Sequence, residues 1–596
     1  MIGLISATAA GAAARDRLAT AWPTRTRVYD GSVGDAVRAA FAQCEQVVCF
    51  LATGATVRLV APLLSDKATD PGVVCVDEAG RFAVSLVGGH GGGANELARE
   101  VGELLGAQPV VTTATDSVGV PGLDTLGFPV EGDVAGVSRA MLDGEPVALE
   151  GELQWPLPAL PSNVTRPAPG AAPTLPRALG SARAGGTPIA QRNDGPQPGT
   201  PVIRVTDRAV EPVEREVVLR PPSLVVGVGA SKGAPVDEVL GLVEDALREA
   251  GLSAKSVAEI ASVDAKADEP GIVAAAEHLG VPVVTYTAEE LAKVAVPNPS
   301  DAPLAAVGTP SVAEAAALVR GGELLVPKRK SERADGQPAM ATCAVVRRPA
   351  RGRLAVVGLG PGARDLLTPR AKDELRRAGV LVGLDQYVDQ IRDLLRPGTR
   401  VLESGLGAEE ERARTAVAEA RRGQAVALIG SGDAGVYAMA SPALAEASDD
   451  IDVVGVPGVT AALAAGAILG APLGHDHVSI SLSDLHTPWE VIERRVRAAA
   501  EADIVVTFYN PRSRGRDWQL PKALAILAEH RERTTPVGVV RNASRADESS
   551  RVTTLGSLDP AIVDMMTVVT VGNTATREIA GRMVTPRGYR WQEEPK

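Results

Sequence analysis

The sequence has few cysteines and few aromatic residues. Four cysteines, Cys44, Cys49, Cys75 and Cys343, stand among 596 residues, and no two of them form a Cys-x-x-Cys pair. This pattern indicates neither a disulfide framework nor a zinc site, and it favours a reducing, cytoplasmic environment. Aromatic residues make up only 3% of the chain, whereas alanine, glycine and valine are abundant, which fits closely packed α/β layers.

Excess positive charge and long apolar segments are also absent. The 61 basic and 73 acidic residues give a net charge of -12, which argues against nucleic acid as a partner. The longest apolar run, 459–473, is interrupted by Gly466 and Gly470 and is shorter than the roughly 20 residues that cross a bilayer. It predicts a buried helix and no membrane association. The first residues run directly into a strand-like segment without the basic flank and apolar stretch of a signal peptide, so export is not expected.

The length predicts roughly three to five domains. Short β-rich runs alternate with helix-compatible segments over residues 1–115, which is typical of a small α/β domain. Residues 116–220 contain a Pro/Gly/Ala-rich stretch at about 161–201, which we predict to be a linker or a disordered insertion. A further α/β domain follows at 221–346, and residues 347–352 indicate a second, shorter linker.

The block 353–590 alternates apolar strands with helices. Repeated βα units favour a mainly parallel sheet, in which ligands lie beyond the carboxyl ends of the strands. Five Gly-rich or polar turns fall at such ends and predict a site on one sheet edge: residues 358–362, 430–433, 457–460, 509–511 and 541–542.

The first of these turns, Gly358-Leu359-Gly360-Pro361-Gly362, leaves backbone amides bare for a ligand. It is not the dinucleotide fingerprint, because Ala363 stands where that pattern needs its last glycine.

The motifs GLGPG, SGDAGVYAMASP, PGVTAALAAGAILGAPLGHD, SLSDLHTPWE, FYNPRSRGRDWQL and VVRNASR closely resemble the precorrin-3B C(17)-methyltransferase branch of the tetrapyrrole methylases, over residues 353 to about 587. The resemblance implies a two-domain class III methylase fold and S-adenosylmethionine in the cleft between the domains. It further implies methylation of a corrinoid ring carbon with ring contraction, and a homodimer formed through this part.

The resemblance also assigns the cofactor pocket. Asp433 suits that assignment, because a carboxylate pairs with an ammonium group or accepts from hydroxyls, although an isolated Gly-Asp is more often only a turn. The assigned residues are Ser431, Gly432, Asp433, Val436, Thr460 and Ala461, with Tyr509 and Val540 on the far side.

The tetrapyrrole is expected to face Gly358, Gly360, Pro361 and Gly362. Arginines of the later turns are candidates to pair with its peripheral carboxylates, the alternative being a solvated loop. These arginines are Arg512, Arg514, Arg516, Arg541 and Arg545.

Methyl transfer depends mainly on positioning, whereas ring contraction needs a general base. The candidate bases are Asp484, His486, His475 and His477. The alternatives are hydrogen-bonded loop histidines and, at residues 487–490, a capping box that begins a helix with proline at its first position. A third ligand at metal spacing is missing, so no metal is expected.

Upstream, residues 87–98 form a strand, a glycine loop with one histidine and a helix start, an arrangement that can hold an anion. Together with segments 112–116, 227–233, 262–269 and 308–315 it resembles cobalt-precorrin-5A hydrolase, the CbiG type. The resemblance covers residues 1 to 346 apart from the Pro-rich insertion.

That family opens a ring-A lactone and releases acetaldehyde, which requires a base and oxyanion donors. His90 or Asp116 is the candidate base, with the amides of residues 91–93 as donors. Lys232, Lys266 and Glu269 are candidate corrinoid contacts. Two alternative readings need no chemistry: capping boxes at 311–314 and 256–259, and a His90 that only satisfies loop carbonyls.

The sequence thus predicts a cytoplasmic bifunctional cobalamin-biosynthesis enzyme that uses S-adenosylmethionine and acts on corrinoids, in company with other enzymes of that pathway. Two alternatives stay open: the N-terminal half is a non-catalytic corrinoid carrier, or the methylase acts on another ring carbon. Whether the substrate already contains cobalt is also open.

Overall fold

The structure is a computed structural model and describes residues 1–66, 69–151, 153, 155–166, 199–332, 338–349, 351–513 and 515–588. The chain divides into two compact units, mainly residues 1–155 with 160–350 and residues 351–395 with 399–596. The predicted linker at 347–352 starts too early, because Arg347 ends a strand and its guanidinium lies 2.7 Å from the Asp207 carboxylate.

The N-terminal part of unit 1 is a six-stranded sheet in the order β2-β1-β3-β4-β5-β6, parallel except between β4 and β5. Cys49 and Cys75 lie opposite each other on its central strands and are fully buried. Burial raises the pKa of the Cys49 thiol to about 12. The elements are β1 Ile2–Ser6, α1 Ala9–Ala21, β2 Thr26–Val28, α2 Val33–Gln43, β3 Gln46–Phe50, α3 Thr53–Val60, β4 Gly72–Val76, β5 Phe82–Val87, α4 Ala94–Leu105, β6 Gln108–Val110 and α5 Ala114–Ser117.

A five-stranded sheet, in the order β7-β11-β10-β8-β9, follows in the chain. The strand Val164–Thr165 shows that the predicted insertion also begins too early, and its residues 167–198 lie outside the described residues. The elements are β7 Val130–Gly132, α6 Val134–Leu142, β8 Val147–Glu150, β9 Val164–Thr165, β10 Val202–Val205 and β11 Glu216–Leu219.

The third part of unit 1 is a mixed sheet in the order β14-β13-β12-β16-β15. Both predicted capping boxes are wrong here. Residues 257–263 form a strand rather than a helix, and the buried Glu314 accepts from the backbone amides of Asn298 and Lys328 instead of capping a helix. The elements are β12 Leu224–Ala230, α7 Val236–Glu249, β13 Val257–Val263, α8 Pro270–Leu279, β14 Val283–Tyr286, α9 Ala288–Ala292, α10 Asp301–Val307, α11 Ala313–Leu318, β15 Glu323–Lys330 and β16 Ala341–Arg347.

Unit 2 begins with an all-parallel sheet in the order β19-β18-β20-β17-β21. Successive residues of its strands enter separate cores on the two faces, with Leu354 and Val356 in one and Ala355 and Val357 in the other. This explains the continuous apolar runs in the sequence. The elements are β17 Arg353–Gly358, α12 Pro369–Arg377, β18 Val380–Leu384, α13 Asp385–Ile391, β19 Arg400–Ser404, α14 Glu409–Arg421, β20 Ala425–Gly430, α15 Ala440–Glu446 and β21 Asp452–Val456.

The rest of unit 2 corrects the expectation of one mainly parallel sheet. It forms a separate sheet, β23-β24-β27-β25-β26, in which only β23 and β24 are parallel, and a small sheet, β22-β29-β28. The predicted buried helix ends before Gly470, whose φ of 125° breaks it. The elements are α16 Ala461–Leu469, β22 Gly470–Ala471, β23 His477–Ser481, α17 Trp489–Glu501, β24 Val505–Tyr509, α18 Gln519–Ala528, β25 Pro536–Arg541, β26 Ser549–Thr554, β27 Thr567–Val571, β28 Arg577–Ile579 and β29 Arg582–Val584.

The fold is therefore α/β and multidomain, as the sequence predicts. Among the described residues, no helix combines the length and the apolar character that a membrane span requires.

Four glycines bring the turns after β17, β20 and β21 into main-chain contact. Gly360 and Gly432 exchange two backbone hydrogen bonds of 3.0 and 2.8 Å. A Cβ added to Gly458 would lie 2.1 Å from the carbonyl oxygen of Gly432 and 2.8 Å from that of Gly358. Only glycine fits at this contact without displacing the backbone.

We expect Gly458→Ala to destabilise unit 2 by about 1–3 kcal/mol, because the neighbouring atoms are backbone and cannot rotate away. For a unit of this size that corresponds to a fall of roughly 2–10 °C in transition temperature, measured by calorimetry of the full chain. The matched control is Gly455→Ala in the same segment, where an added Cβ meets no atom within 4 Å. Equal transition temperatures for the two variants would contradict the steric explanation.

Candidate functional site

The predicted turns lie at the edges of two sheets of unit 2. Strands β17, β20 and β21 are parallel, so their turns share one edge. Strands β24 and β25 both run antiparallel to β27 and therefore also end at a common edge, that of the second sheet. The single edge expected from the sequence is thus two edges, with three turns on one and two on the other.

Tyr509, at the end of β24, connects the second sheet to the helix that follows β21. Its hydroxyl lies 2.6 Å from Oγ1 of Thr460 and accepts a 2.8 Å hydrogen bond from the backbone N–H of Ala462. Burial raises the pKa of the Tyr509 phenol, so the neutral hydroxyl occupies the first turn of α16. The predicted residues Thr460, Ala461 and Tyr509 therefore do come together.

The sequence analysis did not single out Tyr437, which also belongs to this site. Its backbone has a left-handed φ of 52°, which is uncommon for a bulky residue. Its ring lies 5.2 Å from the ring of Tyr509, and its hydroxyl donates to the carbonyl oxygen of Ser479 at 2.7 Å. A tyrosine four residues after the Gly-Asp pair was the available signal.

Asp433 joins two of the turns. One carboxylate oxygen accepts from the N–H of Gly435 at 2.8 Å, and the other accepts from the N–H of Gly458 at 3.0 Å. Ser431 and Val436 lie half-buried in the same turn. Asp433 thus has a structural role in addition to the cofactor role that the sequence suggests, and each oxygen keeps a further lone pair.

Gly432 leaves room for a methyl group between this turn and the start of α16. Gly432 has a φ of 68°, and a Cβ added there would sit 3.6 Å from Cα of Thr460 and 3.7 Å from the backbone nitrogen of Ala461. A methyl group would occupy this space, which is lined by main chain and suits a ligand that hydrogen-bonds to backbone groups. Val540 differs from the other predicted pocket residues, because its side chain is fully buried in a core cluster with Leu469.

The two described arginines of the turn after β24, Arg512 and Arg516, are both engaged by carbonyl oxygens. Arg516 donates to the carbonyl oxygens of Leu482 at 2.9 Å and Asn510 at 2.7 Å, and Arg512 donates to two carbonyls of the loop before β27. Arg514 lies outside the described residues. Arg512 and Arg516 therefore fix the loop around the site.

The two later arginines are engaged as well. Arg541 forms ion pairs with Asp564 at 2.7 Å and Asp547 at 3.4 Å, and these carboxylates raise its pKa. Arg545 donates from Nε to the carbonyl oxygen of Pro361 at 3.0 Å and so holds the Gly-rich turn after β17. Arg541 is neutralised by its partners, which the spacing of residues along the chain did not reveal.

His475 and His477 lie at the wrong end of the second sheet for a base acting beside Tyr509. In the β23–β24 register His477 pairs with Val505, whereas Ser481 pairs with Tyr509. Four residues of strand separate the two ends by about 13 Å. The expectation that His475 acts in this site is corrected by that register.

Asp484 and His486 follow the carboxyl end of β23, on the same edge as Tyr509, and are exposed. Asp484 accepts from Nε2 of Gln519 at 3.1 Å. The predicted capping box is wrong here too, since α17 begins at Trp489 with Pro488 in the cap position and no side-chain cap bond. The start of α17 therefore does not explain why Asp484 and His486 are polar.

Exposed apolar side chains surround the same edges, a feature that the sequence analysis missed. Leu406 follows β19 and is 76% exposed, Leu485 follows β23 and is 72% exposed, and Met565 precedes β27 and is 47% exposed. Isolated apolar side chains on a surface are normal, but these three lie at the sheet edges that carry the predicted turns, a placement that suits an apolar ligand.

Unit 1 contains a second polar cluster, around Asp116. The carboxylate accepts from Nη2 of Arg99 at 2.9 Å, Nδ2 of Asn95 at 3.0 Å and Oγ1 of Thr113 at 2.6 Å. Burial alone would raise the pKa of Asp116, but the bonds from Thr113 and Arg99 and the nearby His90 outweigh it and lower that pKa. The two predicted residues of this half, His90 and Asp116, therefore do meet, with Nε2 and Oδ2 3.3 Å apart.

The glycine loop beside this cluster corrects one expectation. The N–H of Gly93 donates to the carbonyl oxygen of His90 at 2.8 Å, so this amide is not free to bind an oxyanion. The loop, together with Gln46 and Asp70, lines a cavity of about 720 Å³ that also includes His90. Across the described residues, no three His, Cys, Asp or Glu side chains are grouped as a metal site requires.

The predicted corrinoid contacts near α8 divide into two kinds. Glu269 is buried and accepts from the N–H of Gly233 at 2.6 Å and from Nζ of Lys266 at 3.1 Å. Lys266 and Glu269 thus neutralise each other, whereas Lys232 is exposed. Burial alone would raise the pKa of Glu269, but the Gly233 amide and the Lys266 ammonium outweigh it and lower that pKa.

Three family models match the chain. They are Tetrapyrrole (Corrin/Porphyrin) Methylases over residues 353–559, Cobalamin synthesis G N-terminal over 35–116, and Cobalamin synthesis G C-terminus over 224–346. The match of all three supports the fusion of two enzyme families that the motifs indicate.

Curated relatives match the C-terminal part. The Salmonella typhimurium protein named "Probable cobalt-factor III C(17)-methyltransferase" is 46% identical over 239 residues, which are 40% of this chain and 99% of that protein. Precorrin-3B C(17)-methyltransferase of a Sinorhizobium species is 42% identical over 250 residues, which are 40% of this chain and 97% of that protein. The cobalt-factor III methyltransferase of Priestia megaterium is 41% identical to the chain, which spans only 45% of that protein's length.

Two solved structures are similar to segments of the chain. The crystal structure of the methyltransferase CobJ is 39% identical and covers 39% of this chain and 100% of its own, with a TM-score of 0.38. A cobalamin biosynthesis protein G homologue from Sulfolobus solfataricus is 20% identical, with a TM-score of 0.24. It covers 58% of this chain and 96% of its own.

The buried Glu269 predicts a pH dependence of stability. Its folded-state pKa is depressed, so it stabilises unit 1 above the unfolded-state pKa of about 4.3, and this stabilisation is lost as the pH falls through and below that value. We expect Glu269→Gln to lower the transition temperature of the full chain at pH 7, and this difference from wild type to shrink below about pH 4. Glu277→Gln, an exposed carboxylate on the same helix, is the control. A difference independent of pH would contradict the assignment.

Proposed function

Given that the chain belongs to the tetrapyrrole (corrin/porphyrin) methylases and also has both CbiG domains, we propose that it is a bifunctional enzyme of cobalamin biosynthesis. In this proposal the C-terminal part transfers a methyl group from S-adenosylmethionine to C-17 of precorrin-3B or its cobalt analogue, with ring contraction to precorrin-4. The observation that supports it best is the main-chain-lined space at Gly432, held by Tyr509 against the first turn of α16.

S-adenosylmethionine fits the residues that surround this space. The turn at Ser431, Gly432 and Asp433 and the start of α16 at Thr460 and Ala461 would hold it, since backbone groups bind a carboxylate and an adenine, and the free lone pairs of Asp433 accept from an ammonium or a hydroxyl. When bound, it supplies an electrophilic methyl group to a nucleophilic ring carbon. The chain's own contribution is to fix these turns, which Asp433 and Tyr509 do by hydrogen bonds to backbone N–H groups.

A corrinoid substrate fits the apolar edge. The exposed side chains of Leu406, Leu485 and Met565 would cover the face of a macrocycle and exclude water from it. Asp484 and His486 lie on that edge and are the bases that we propose for removing the hydroxyl proton during ring contraction. The turn at residues 358–362, held by Arg545, would border the substrate.

For unit 1 we propose hydrolysis of the ring-A lactone of cobalt-precorrin-5A with release of acetaldehyde. The cluster of His90 and Asp116 beside a cavity of about 720 Å³ supports this reaction, because lactone hydrolysis needs a base next to a space that admits the substrate. Such an ordered pair of titratable groups is not required by a corrinoid carrier.

Calorimetry with S-adenosylhomocysteine tests the methylase assignment. We expect the full chain to bind it and Tyr509→Phe to bind it about 5- to 100-fold more weakly, because the N–H of Ala462 then loses its partner, at a cost of about 1–3 kcal/mol. Tyr29→Phe, which removes a hydroxyl bonded to Gln43 in unit 1, is the matched control and should bind like wild type. Absence of binding by the wild-type chain would refute the assignment.

An acetaldehyde assay with cobalt-precorrin-5A tests the hydrolase assignment. We expect the wild-type full chain to release acetaldehyde and His90→Gln to slow the release by about 10²-fold or more, because the base is lost. His278→Gln, which alters an exposed histidine paired with Glu244, should have no effect. A wild-type chain that binds the corrinoid without releasing acetaldehyde would instead be the carrier.

A further inference from the structure

Asp116 is surrounded by hydrogen-bond donors on both carboxylate oxygens. Oδ1 accepts from Arg99, and Oδ2 accepts from Asn95 and Thr113. An ionised carboxylate only accepts, so this arrangement matches the ionised form. Protonation of Asp116 would set a new O–H against these donors, and the carboxylate is therefore poorly suited to take a proton from water.

The same carboxylate determines which nitrogen of His90 carries hydrogen. Nε2 of His90 lies 3.3 Å from Oδ2 of Asp116 and 2.8 Å from Oγ1 of Thr115. A lone pair on Nε2 would face the lone pairs of an ionised carboxylate, whereas an N–H there is attracted to both oxygens. In the neutral imidazole one nitrogen donates and the other accepts, so hydrogen on Nε2 places the lone pair on Nδ1.

The surroundings restrict the orientation of the imidazole. The main chain of His90 is held by the N–H of Gly93. A Cβ added to Gly122 would lie 3.4 Å from Cε1 of His90, so the main chain at Gly122 lies close to the ring atom between the two nitrogens. Among the described residues no hydrogen bond occupies Nδ1. The accepting nitrogen is thus available in a residue that lines the cavity.

We propose that Asp116, supported by Arg99, is a positioning residue that holds neutral His90 in the Nε2–H tautomer, so that Nδ1 is the base of the lactone hydrolysis. This inference rests on the proposed function of unit 1. Nδ1 takes one proton from water as the water oxygen bonds to the lactone carbonyl carbon. The ring C–O bond then breaks, and the proton passes from Nδ1 to the departing oxygen, which gives a carboxyl group and a hydroxyl group.

Nitrogen NMR of the histidine rings tests the tautomer without substrate. The full chain, labelled with ring-¹⁵N histidine, is measured by magic-angle-spinning NMR at a pH where the signal of His90 is that of a neutral ring, and His90→Gln identifies that signal among six histidines. We expect hydrogen on Nε2 in the wild type. In Asp116→Asn the side-chain NH₂ can donate to Nε2, so we expect hydrogen to move to Nδ1. Glu96→Gln removes the other carboxylate bound to Arg99 and should leave the tautomer unchanged.

The same variants are assayed for acetaldehyde release. A base in the wrong tautomer lowers the rate by about 10⁴-fold in the best-studied histidine–aspartate pair, and we expect a fall of that order in Asp116→Asn but none in Glu96→Gln. Hydrogen on Nδ1 in the wild type, or an unchanged tautomer in a folded Asp116→Asn, would overturn the inference. If Asp116→Asn does not fold, the wild-type tautomer still decides. Absence of acetaldehyde from the wild type would overturn the hydrolase function but not the tautomer assignment.

Discussion

The candidate methylase site depends on main-chain contact between neighbouring turns. Gly358, Gly432 and Gly458 approach so closely that their carbonyl and N–H groups replace side chains as the packing surface. Asp433 then joins two of these turns through a single carboxylate. This contact places the start of α16 beside Gly432, and Tyr509 bonds to that start from the second sheet. A displacement of any one of these turns would therefore alter the others as well.

Much of this fold follows from local sequence patterns. Buried parallel strands are continuous apolar runs, as in the buried residues 354–357 of β17. The direction of a strand depends on partners far away in the chain, which is why the second sheet of unit 2 was expected to be parallel although β27 runs antiparallel to both of its neighbours. The capping-box patterns failed for a related reason, because Glu314 finds stronger partners in Asn298 and in the backbone of Lys328.

The same difference between local and long-range structure decides which site residues could be predicted from the sequence. Gly432 and Thr460, which the motif resemblance assigned to one pocket, lie beside one another, since a short turn and a helix start have local geometry. The resemblance could not show that Arg541 is neutralised by Asp564 and Asp547, or that His475 precedes β23, at the end of that strand opposite Tyr509. Exposure is also invisible in a sequence, so the apolar side chains that surround the edge, such as Leu406 and Leu485, emerged only from the fold.

The burial of all four cysteines has a practical consequence. None of the thiols is at the surface, and desolvation raises the pKa of Cys49 and of Cys343 to about 12, so their reactive thiolate forms are scarce at neutral pH. A cysteine introduced at an exposed position such as Leu485 would then be the preferred target of a maleimide dye. The native chain thus suits a fluorescent reporter placed beside the carboxyl end of β23, without removal of the native cysteines.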